Sequence, residues 1–401
     1  MNRKGTSLVI PETIFGNLDN CYKDSVAFSD VRISYVEELS SVLADLSRTY
    51  RDSELMSFSR YLKHLRSKTN YYSIPNFIRK GIGLVIHITP NNVPLGFAYS
   101  FIWGLITGNS NIVKTPNQSR EQSALFFEGL KLVHQNPKFR ILSQQNVFTN
   151  IHSTDARFTS IIKACDAKVV WGSNVTIDTI ASVQKSVYTR SITFPDRISV
   201  CVMSLHVYST LSQDKKISLV KKFVRDFQSF NQLACSSPWV LYWLGSDRPD
   251  QSREITDEFW EHVSKELESI PDLLTGLGAL RVAKLAKISA QQSVSFKKVT
   301  HLKHVTILDV ESLVMSEIDA GYGIFYQKNC DCLDSIFLDL GDRVQTMTYF
   351  GINVNELEHA LKSSTSAVPR RIVPIGTALE FEWIWDGRDA MSELTEICQV
   401  L

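Results

Sequence analysis

The amino-acid sequence predicts an α/β protein with a mostly parallel, doubly wound sheet. From Gly81 onward, short apolar runs of strand length alternate with longer helical patterns, which is the order that βαβ units produce. The composition agrees, because 44% of the 401 residues are hydrophobic and 21% are charged, as in globular rather than disordered chains. Since a domain averages about 150 residues, we expect two to three domains.

The charge balance and the cysteines exclude several classes of protein. With 43 basic and 42 acidic side chains the net charge is only +1, which disfavours a dedicated nucleic-acid binder and a polybasic membrane-surface protein. The seven cysteines are scattered and odd in number, and no apolar leader segment follows Met1. These features favour a reducing, cytoplasmic compartment.

A long segment without charge contains the first strand and helix of this alternation. No Lys, Arg, Asp or Glu lies between Lys80 and Lys114, and an apolar segment of that length could cross a membrane. Its middle, residues 89–94, holds two prolines and two asparagines, which would place turns and unpaired amides at the centre of a bilayer. We therefore predict a buried strand at 83–88 and a buried helix at 94–106, and no membrane span.

The other elements continue the same alternation on both sides of that segment. Residues 1–80 carry a helical pattern at 35–65. Strands are predicted at 111–114, 146–150, 168–171 and 198–203, with helices at about 126–132, 156–165 and 176–184. A second unit is predicted from an amphipathic helix at 212–227, strands at 238–244, 304–308, 336–340, 346–349 and 371–375, and a helix at 389–398.

The most informative cysteine is Cys235. It lies in the segment Phe-Asn-Gln-Leu-Ala-Cys-Ser-Ser-Pro, residues 230–238, between a predicted helix and a predicted strand. A substrate can reach a thiol in such a turn, and neighbouring donors can stabilise its thiolate, so Cys235 is a candidate nucleophile. The alternative is a small buried apolar residue, which is the commoner role of an isolated cysteine.

A second candidate is Asn92, in the segment Thr-Pro-Asn-Asn-Val-Pro-Leu at residues 89–95. An amide held between Pro90 and Pro94 is suited to donating a hydrogen bond to a developing oxyanion. The alternative is a plain turn from strand to helix, with the asparagine as a helix cap.

A third candidate is Lys114, in the segment Gly-Asn-Ser-Asn-Ile-Val-Lys-Thr-Pro-Asn at residues 108–117. The lysine ends a predicted strand, and open α/β sheets bind ligands at the carboxyl ends of their strands. It could therefore hold a ribose hydroxyl or a phosphate. The alternative is an ordinary surface lysine.

A fourth candidate is the junction at Gly172 and Ser173, which connects a predicted strand to a predicted helix. Glycine lets a phosphate approach the backbone, and a helix N-terminus favours negative charge. Any strand–glycine–serine–helix junction would look alike, so this pattern by itself is weak.

No metal is expected. His301 and His304, with Cys330 and Cys332 further along, are ligand types, but their spacing fits no standard zinc pattern.

Taken together and in order, these motifs resemble one family. The segments that carry the resemblance are Thr-Pro-Asn-Asn-Val-Pro, Gly-Asn-Ser-Asn-Ile-Val-Lys, Val-Trp-Gly-Ser, Asn-Gln-Leu-Ala-Cys-Ser-Ser-Pro, and Arg-Ile-Val-Pro-Ile-Gly followed by Trp-Asp-Gly. They resemble the acyl-CoA reductases of bacterial bioluminescence, the fatty-acid-reductase branch of the aldehyde dehydrogenase superfamily. The resemblance runs from residue 82 to the C-terminus.

The resemblance implies an aldehyde dehydrogenase-like fold with a Rossmann-like cofactor domain and an α/β catalytic domain. The expected boundaries are a helical segment at 1–80 packing on the cofactor domain, an NADP-binding domain at 81–205, a catalytic domain at 206–370 and a C-terminal return segment at 371–401.

The resemblance also implies roles for single residues. Cys235 becomes the nucleophile, and Asn92 forms the oxyanion hole with the backbone N–H of Cys235. Lys114 faces the adenosine ribose, and Gly172 with Ser173 lies at the pyrophosphate. The remaining expected cofactor-binding residues are Thr89, Pro90, Thr115 and Asn117.

Two departures from the wider superfamily refine this expectation. Where hydrolytic aldehyde dehydrogenases carry a glutamate general base, residues 193–197 read Thr-Phe-Pro-Asp-Arg, so an acyl group on cysteine should survive until a thiol or a hydride removes it. Where members that prefer NAD carry a glutamate three residues after the lysine, this chain has Asn117. Without that carboxylate a 2′-phosphate is not repelled, so NADPH becomes acceptable.

The expected function is therefore NADPH-dependent reduction of a long-chain acyl-CoA, or another acyl thioester, to the fatty aldehyde through an acyl-cysteine intermediate. Two alternatives remain open: an NAD(P)-dependent aldehyde or acylating semialdehyde dehydrogenase with a short substrate, and a non-redox acyl-cysteine carrier or acyltransferase. The resemblance further suggests an acyl-activating synthetase as a partner, and homo-oligomers.

Overall fold

The structure, a computed structural model, describes residues 10, 12–21, 25–89, 93–115, 121–245, 249–270, 277–290 and 296–400. The chain divides into two compact units, which are described separately. The first unit consists of Met1–Asp196 together with Phe381–Leu401, and the second of Arg197–Glu380.

The strands of the described residues, in chain order, are β1 (Thr13–Asn17), β2 (Phe77–Gly81), β3 (Leu84–Ile88), β4 (Ser110–Lys114), β5 (Asn146–Thr149), β6 (Ala167–Trp171), β7 (Arg190–Phe194), β8 (Ile198–Ser204), β9 (Pro238–Leu244), β10 (Phe296–His301), β11 (Thr306–Val310), β12 (Ile324–Cys330), β13 (Val344–Phe350), β14 (Arg371–Pro374) and β15 (Thr395–Gln399). The helices are α1 (Asp30–Tyr50), α2 (Ser53–Thr69), α3 (Gly96–Ile106), α4 (Glu121–Val133), α5 (Arg140–Ser143), α6 (Ala156–Ala164), α7 (Asn174–Ser182), α8 (Leu205–Ser209), α9 (Gln213–Gln228), α10 (Pro249–Glu268), α11 (Leu277–Ser289), α12 (Leu333–Asp339), α13 (Val354–Ser363) and α14 (Ala390–Glu393).

The sheet of the first unit has the strand order β1-β5-β4-β3-β6-β7. Strands β3 to β7 are parallel, and β1 is antiparallel to β5. The chain builds outward from β3 through β4 to β5, and then returns to add β6 and β7 on the other side of β3. This reversal creates a switch point between β3 and β6, where sheets of this kind bind ligands beyond the carboxyl ends of the strands.

The predicted charge-free core segment contains β3, α3 and β4, and nearly all of its described residues are buried. A polar network lies inside it. The ring of His87 contacts the hydroxyl of Ser100 through Nδ1 (2.8 Å) and the Oδ1 of Asn111 through Nε2 (2.9 Å). Because the Nδ2 of Asn111 donates to Asn146 (2.6 Å), its Oδ1 must accept, which places the ring proton of His87 on Nε2.

The helical pattern predicted at 35–65 corresponds to α1 and α2. These helices pack on each other and on α4, and α1 also contacts α3. On α1, Tyr35, Val36, Leu39 and Leu43 are buried at helical spacing. No helix among the described residues combines the length and the apolar character needed to span a membrane.

Residues 381–401 return to the first unit. Strand β15 pairs antiparallel with β2, and the guanidinium of Arg190 donates to the carbonyls of Glu393 (2.9 Å) and Thr395 (2.8 Å). The expected return segment began earlier, at residue 371, but β14 pairs with β13 in the second unit. The predicted helix at 389–398 is instead the short α14 followed by β15.

The sheet of the second unit has the order β10-β11-β12-β9-β8-β13-β14, parallel except for the edge strand β10. Alternate residues of the central strands face opposite sides, as the pleat requires. Val200 and Val240 pack with apolar residues of α12 and α13, whereas Cys201 and Leu241 pack with those of α9 and α10. Strand β8, expected at the end of a domain spanning 81–205, is a central strand of this second sheet.

One predicted strand is wrong. Residues 336–340 lie largely in helix α12, because Leu333, Ile336 and Phe337 recur at three- and four-residue spacing and bury one helix face. A short apolar run does not distinguish the two structures by itself.

Candidate active site

Cys235 lies in the second unit, in the connection from α9 to β9. The chain reverses direction there through left-handed backbone at Asn231 (φ 54°) and Gln232 (φ 64°). The N–H of Gln232 donates to the carbonyl of Phe227 at the end of α9 (2.7 Å), which ties the connection to the helix.

The side chain of Gln232 holds this connection against two strands. It is fully buried, and its Nε2 donates to the carbonyls of Pro238 (2.9 Å) and Ile324 (2.8 Å). Its Oε1 accepts the N–H of Gly323 (3.0 Å). Gln232 therefore stabilises the loop. Donors to the thiolate were expected among the neighbours of Cys235, but the side-chain amide of Gln232 bonds to backbone groups and has a structural role.

Cys235 itself lies in a β-turn. The N–H of Ser237 donates to the carbonyl of Ala234 (2.9 Å), and the hydroxyl of Ser199 donates to the carbonyl of Cys235 (2.7 Å). The side chain of Cys235 is partly exposed. Its position is therefore both fixed and accessible.

Other cysteines are poorer candidates for a nucleophile. Cys165, Cys201 and Cys330 are buried, and burial raises the pKa of each thiol. A raised pKa removes the thiolate that nucleophilic attack requires. Cys332 and Cys398 are exposed, but Cys332 precedes helix α12 and Cys398 lies in strand β15, away in sequence from every predicted motif.

The expected cofactor residues that the structure describes lie in the first unit, at the carboxyl ends of adjacent strands. Ile88 of β3 pairs with Lys114 of β4 on one side and with Val170 of β6 on the other. Consequently Thr89, Lys114 and Gly172 follow or end three neighbouring strands at one edge of the sheet. Pro90, Asn92 and Asn117 lie outside the described residues.

Lys114 and Thr89 offer polar groups at this edge. Lys114 is half-buried, and its burial lowers the pKa of its ammonium group. The hydroxyl of Thr89 is buried without a hydrogen-bond partner among the described residues. Thr115, in contrast, donates to the carbonyl of Thr149 through its N–H (2.8 Å) and its hydroxyl (3.2 Å), so its hydroxyl has a structural partner.

The junction from β6 to α7 leaves room for a ligand at the helix N-terminus. A methyl group on Gly172 would lie 3.4 Å from the nearest atom of Thr176, an ordinary contact, so the protein's own packing does not require glycine there. Ser173 caps α7 by accepting the N–H of Thr176 (3.4 Å) and is exposed, as is the first turn of the helix. This arrangement suits an anion.

The opposite end of α7 contains a residue that the sequence did not single out. The buried ammonium of Lys168, on β6, donates to the carbonyls of Ile180 (3.0 Å), Ala181 (3.1 Å) and Val183 (2.5 Å). It satisfies the C-terminal carbonyls of the helix whose N-terminus is open. The available signal was a lysine inside the otherwise apolar strand Ala-Lys-Val-Val-Trp.

Comparison with protein families assigns the chain. Residues 52–395 match the family described as Acyl-CoA reductase (LuxC). The chain belongs to the LuxC acyl-CoA reductase family. It is an oxidoreductase that reduces acyl-CoA to fatty aldehyde, as the resemblance implied, and that prediction is confirmed.

Solved structures show the same fold at low sequence identity. The chain is similar to a salicylaldehyde dehydrogenase from Pseudomonas putida G7 complexed with salicylaldehyde (16% identity, TM-score 0.67, covering 94% of this chain and 86% of that one). It is also similar to lactaldehyde dehydrogenase from Escherichia coli (14%, 0.62, 92% and 86%) and to an indole-3-acetaldehyde dehydrogenase complexed with NAD+ (13%, 0.63, 92% and 82%). A search of curated protein sequences finds no match.

The predicted α/β, aldehyde dehydrogenase-like fold is thus confirmed for this LuxC-family chain. The family and the fold together imply a nicotinamide cofactor and an acyl-CoA substrate. Within the residues that the structure describes, no three or more His, Cys, Asp or Glu side chains are grouped to hold a metal ion.

Proposed function

We propose that this LuxC-family reductase acts on long-chain acyl-CoA with NADPH, through a covalent acyl-cysteine on Cys235. The observation that carries the proposal is the turn at 234–237, in which a partly exposed thiol is held by hydrogen bonds at both adjoining peptides. A fixed, reachable thiol is what nucleophilic catalysis needs.

The proposed reaction has two halves. The thiolate of Cys235 attacks the thioester carbonyl, and the CoA thiolate leaves, which forms an acyl thioester on the enzyme. The cofactor supplies a hydride when bound. The acyl thioester is thereby reduced to a thiohemiacetal, which loses the aldehyde, and the sulfur of Cys235 is released for the next turnover.

The amide of Asn92 is the proposed oxyanion donor. This role comes from the family motif at 89–95. Asn92 itself lies outside the described residues. An amide donor aimed at the developing negative charge would stabilise both tetrahedral intermediates.

The proposed cofactor site is the carboxyl edge of the first sheet. The open N-terminus of α7, at Gly172 and Ser173, would receive the pyrophosphate, and Lys114 the ribose and its 2′-phosphate. The buried hydroxyl of Thr89, which has no hydrogen-bond partner among the described residues, supports a polar ligand at this edge. Asn117, in place of a carboxylate, does not repel a 2′-phosphate, so NADPH should be used at least as well as NADH.

The fate of the acyl group also favours reduction. The stretch at 193–197 has no glutamate to activate water. Phe194, the last residue of β7, stacks on Trp171 with ring centroids 3.9 Å apart, so its position in the stretch is taken by an aromatic packing residue. An acyl-enzyme without a base for hydrolysis persists until hydride arrives.

An acyl-activating synthetase that supplies the acyl group, and assembly into homo-oligomers, complete the proposal. Both come from the family resemblance.

The deciding experiment is acyl labelling. Incubation with a long-chain acyl-CoA in the absence of NADPH should add one acyl mass to the protein, located on Cys235 by peptide mapping and released as aldehyde when NADPH is added. Cys235→Ala should abolish labelling and reduction, whereas Cys398→Ala, which removes an exposed thiol, should change neither. An acyl group on another residue, or reduction by Cys235→Ala, would contradict the proposal.

A further inference from the structure

Ser199 is a fully buried serine of β8 whose side chain bonds to the nucleophile's own peptide. Its hydroxyl donates to the carbonyl of Cys235 (2.7 Å) and accepts the backbone N–H of Thr346 on β13 (3.1 Å). One small side chain therefore connects three segments that are far apart in sequence.

The sheet is irregular at this residue on both sides. Between the pairs Ser199↔Pro238 and Val200↔Val240, strand β9 advances by two residues while β8 advances by one. Strand β13 likewise carries an additional residue where it passes Ser199. Such bulges remove regular ladder bonds and often re-aim a side chain beside an active site. The hydroxyl of Ser199 supplies the acceptor for the N–H of Thr346 at this break.

The other bond of Ser199, to the carbonyl of Cys235, acts on the turn around the nucleophile. In a β-turn from 234 to 237, the bond from the N–H of Ser237 to the carbonyl of Ala234 (2.9 Å) fixes the first peptide. The middle peptide, between Cys235 and Ser236, takes no part in that bond. Turn types I and II differ by a flip of this middle peptide, which rotates ψ of the preceding residue by about 150°.

We propose that Ser199 is a positioning residue for the nucleophile: its hydroxyl holds the Cys235–Ser236 peptide in one orientation, and so fixes the ψ angle of Cys235, on which the side-chain rotamer of the thiol depends. The proposal rests on the proposed function, since it assumes that Cys235 carries the acyl group. It does not place Ser199 in contact with substrate or cofactor.

The hydroxyl, rather than the volume of the side chain, is the part that acts. Ser199→Ala removes the bond to the middle peptide and leaves the bond between Ser237 and Ala234 intact. Because small misplacements of a reacting group can cost about 100-fold in rate, we expect acylation of Cys235 to slow by about 10- to 100-fold. Affinity for NADPH should be unchanged, since the cofactor residues lie in the other unit.

The matched control is Ser40→Ala. Ser40 is also buried, and its hydroxyl donates to a backbone carbonyl, that of Ser59, at 2.8 Å. Both substitutions remove one buried serine-to-carbonyl bond, but Ser199→Ala also leaves the N–H of Thr346 without its acceptor, so it should lower the unfolding midpoint more than Ser40→Ala does. Only Ser199→Ala should slow acylation, and Ser199→Thr, which keeps the hydroxyl, should restore most of the rate.

The experiment measures the rate of acyl-mass gain from long-chain acyl-CoA without NADPH, with peptide mapping, for the wild type and each variant. Ser199→Cys, a near-isosteric change to a weak donor, should also slow acylation of Cys235 and replaces Ser199→Ala if the latter does not fold. Acylation of Cys235 at the wild-type rate in the folded variant, or equal slowing by Ser40→Ala, would overturn the role of Ser199. Acylation of a residue other than Cys235 in the wild type would instead overturn the proposed function.

Discussion

The two candidate constellations of this reductase are held in opposite ways. The cofactor edge of the first unit is open: Ser173 and the first turn of α7 are exposed, and the capping bond of Ser173 is long, at 3.4 Å. The turn around Cys235 is held by buried side chains, Gln232 and Ser199, through bonds of 2.7 to 3.0 Å. A cofactor must enter and leave at each turnover, whereas a nucleophile must keep one orientation. The difference in local restraint follows those two requirements.

The largest expected effect concerns Asn92, which could serve either the chemistry at Cys235 or the cofactor edge. If Asn92 serves the chemistry rather than the cofactor, Asn92→Ala should lower turnover by about 100- to 1,000-fold, the usual cost of one lost oxyanion donor. The KM for NADPH should change little. Steady-state kinetics and NADPH titration check this, and a loss of NADPH affinity with an unchanged chemical step would make Asn92 a cap of the cofactor edge instead.

The next effect distinguishes buried groups of the two units by their response to acid. In the first unit, burial lowers the pKa of His87 to about 4, and His134 shifts in the same way. The unfolded state takes up these protons near pH 6.5, so the stability that His87 contributes is present above pH 6.5 and is lost as pH falls toward 4. For His87 alone this amounts to about 3 kcal/mol.

For Asp226, in the second unit, the sign is reversed. Burial raises the pKa of Asp226 to about 7, although the N–H groups of Gly376 (2.6 Å) and Ala378 (3.0 Å) oppose the shift. The folded state then binds a proton that the unfolded state releases above about pH 4, so this contribution to stability grows as pH falls from 7 to 4.

Denaturant unfolding between pH 4 and pH 7 tests both signs. His87→Gln should flatten the loss of stability in acid, and Asp226→Asn should remove the gain. Identical pH profiles for the wild type and both variants would show that the two buried groups do not differ in the way described.

A smaller effect is expected at the open edge. Lys168→Met removes the three bonds to the last carbonyls of α7, and we expect NADPH binding to weaken by about tenfold because the helix end is no longer held or neutralised. Acylation of Cys235 without cofactor should be unaffected. Fluorescence titration measures the affinity, and Lys163→Met, at an exposed lysine of the neighbouring helix α6, is the control.

The smallest effect concerns cofactor choice. Asn117→Glu should shift the ratio of kcat/KM for NADPH and NADH toward NADH by about fivefold, since a carboxylate about 4 Å from a phosphate in water costs about 1 kcal/mol. Unchanged ratios in wild type and variant would remove Asn117 from the cofactor site.

Both candidate constellations could be proposed from the sequence because their signatures are local. Cys235 lies in a short polar turn between a helix and a strand, and Gly172 with Ser173 directly follows a strand. The family motifs then supplied the chemistry, and the family match confirmed the activity.

The restraints around these residues could not be predicted, since they join positions distant in the chain. Gln232 bonds to Ile324 and Ser199 to Cys235, and neither partner follows from local spacing. The boundary between the two units could not be predicted from the sequence either. Strands β7 and β8 are separated by residues 195–197 alone, yet they belong to different sheets. Strand β12 was missed because Gln327, Lys328 and Asn329 interrupt its apolar pattern.

The return of residues 381–401 to the first unit has a consequence for synthesis. The second unit, Arg197–Glu380, is continuous, so it can fold while the ribosome is still adding residues. The first unit begins earlier but cannot be completed then, because β2 has no β15 to pair with and Arg190 lacks the carbonyls of Glu393 and Thr395. The part of the enzyme that starts first on the ribosome therefore finishes last, and its long-range pairing makes that final step slow.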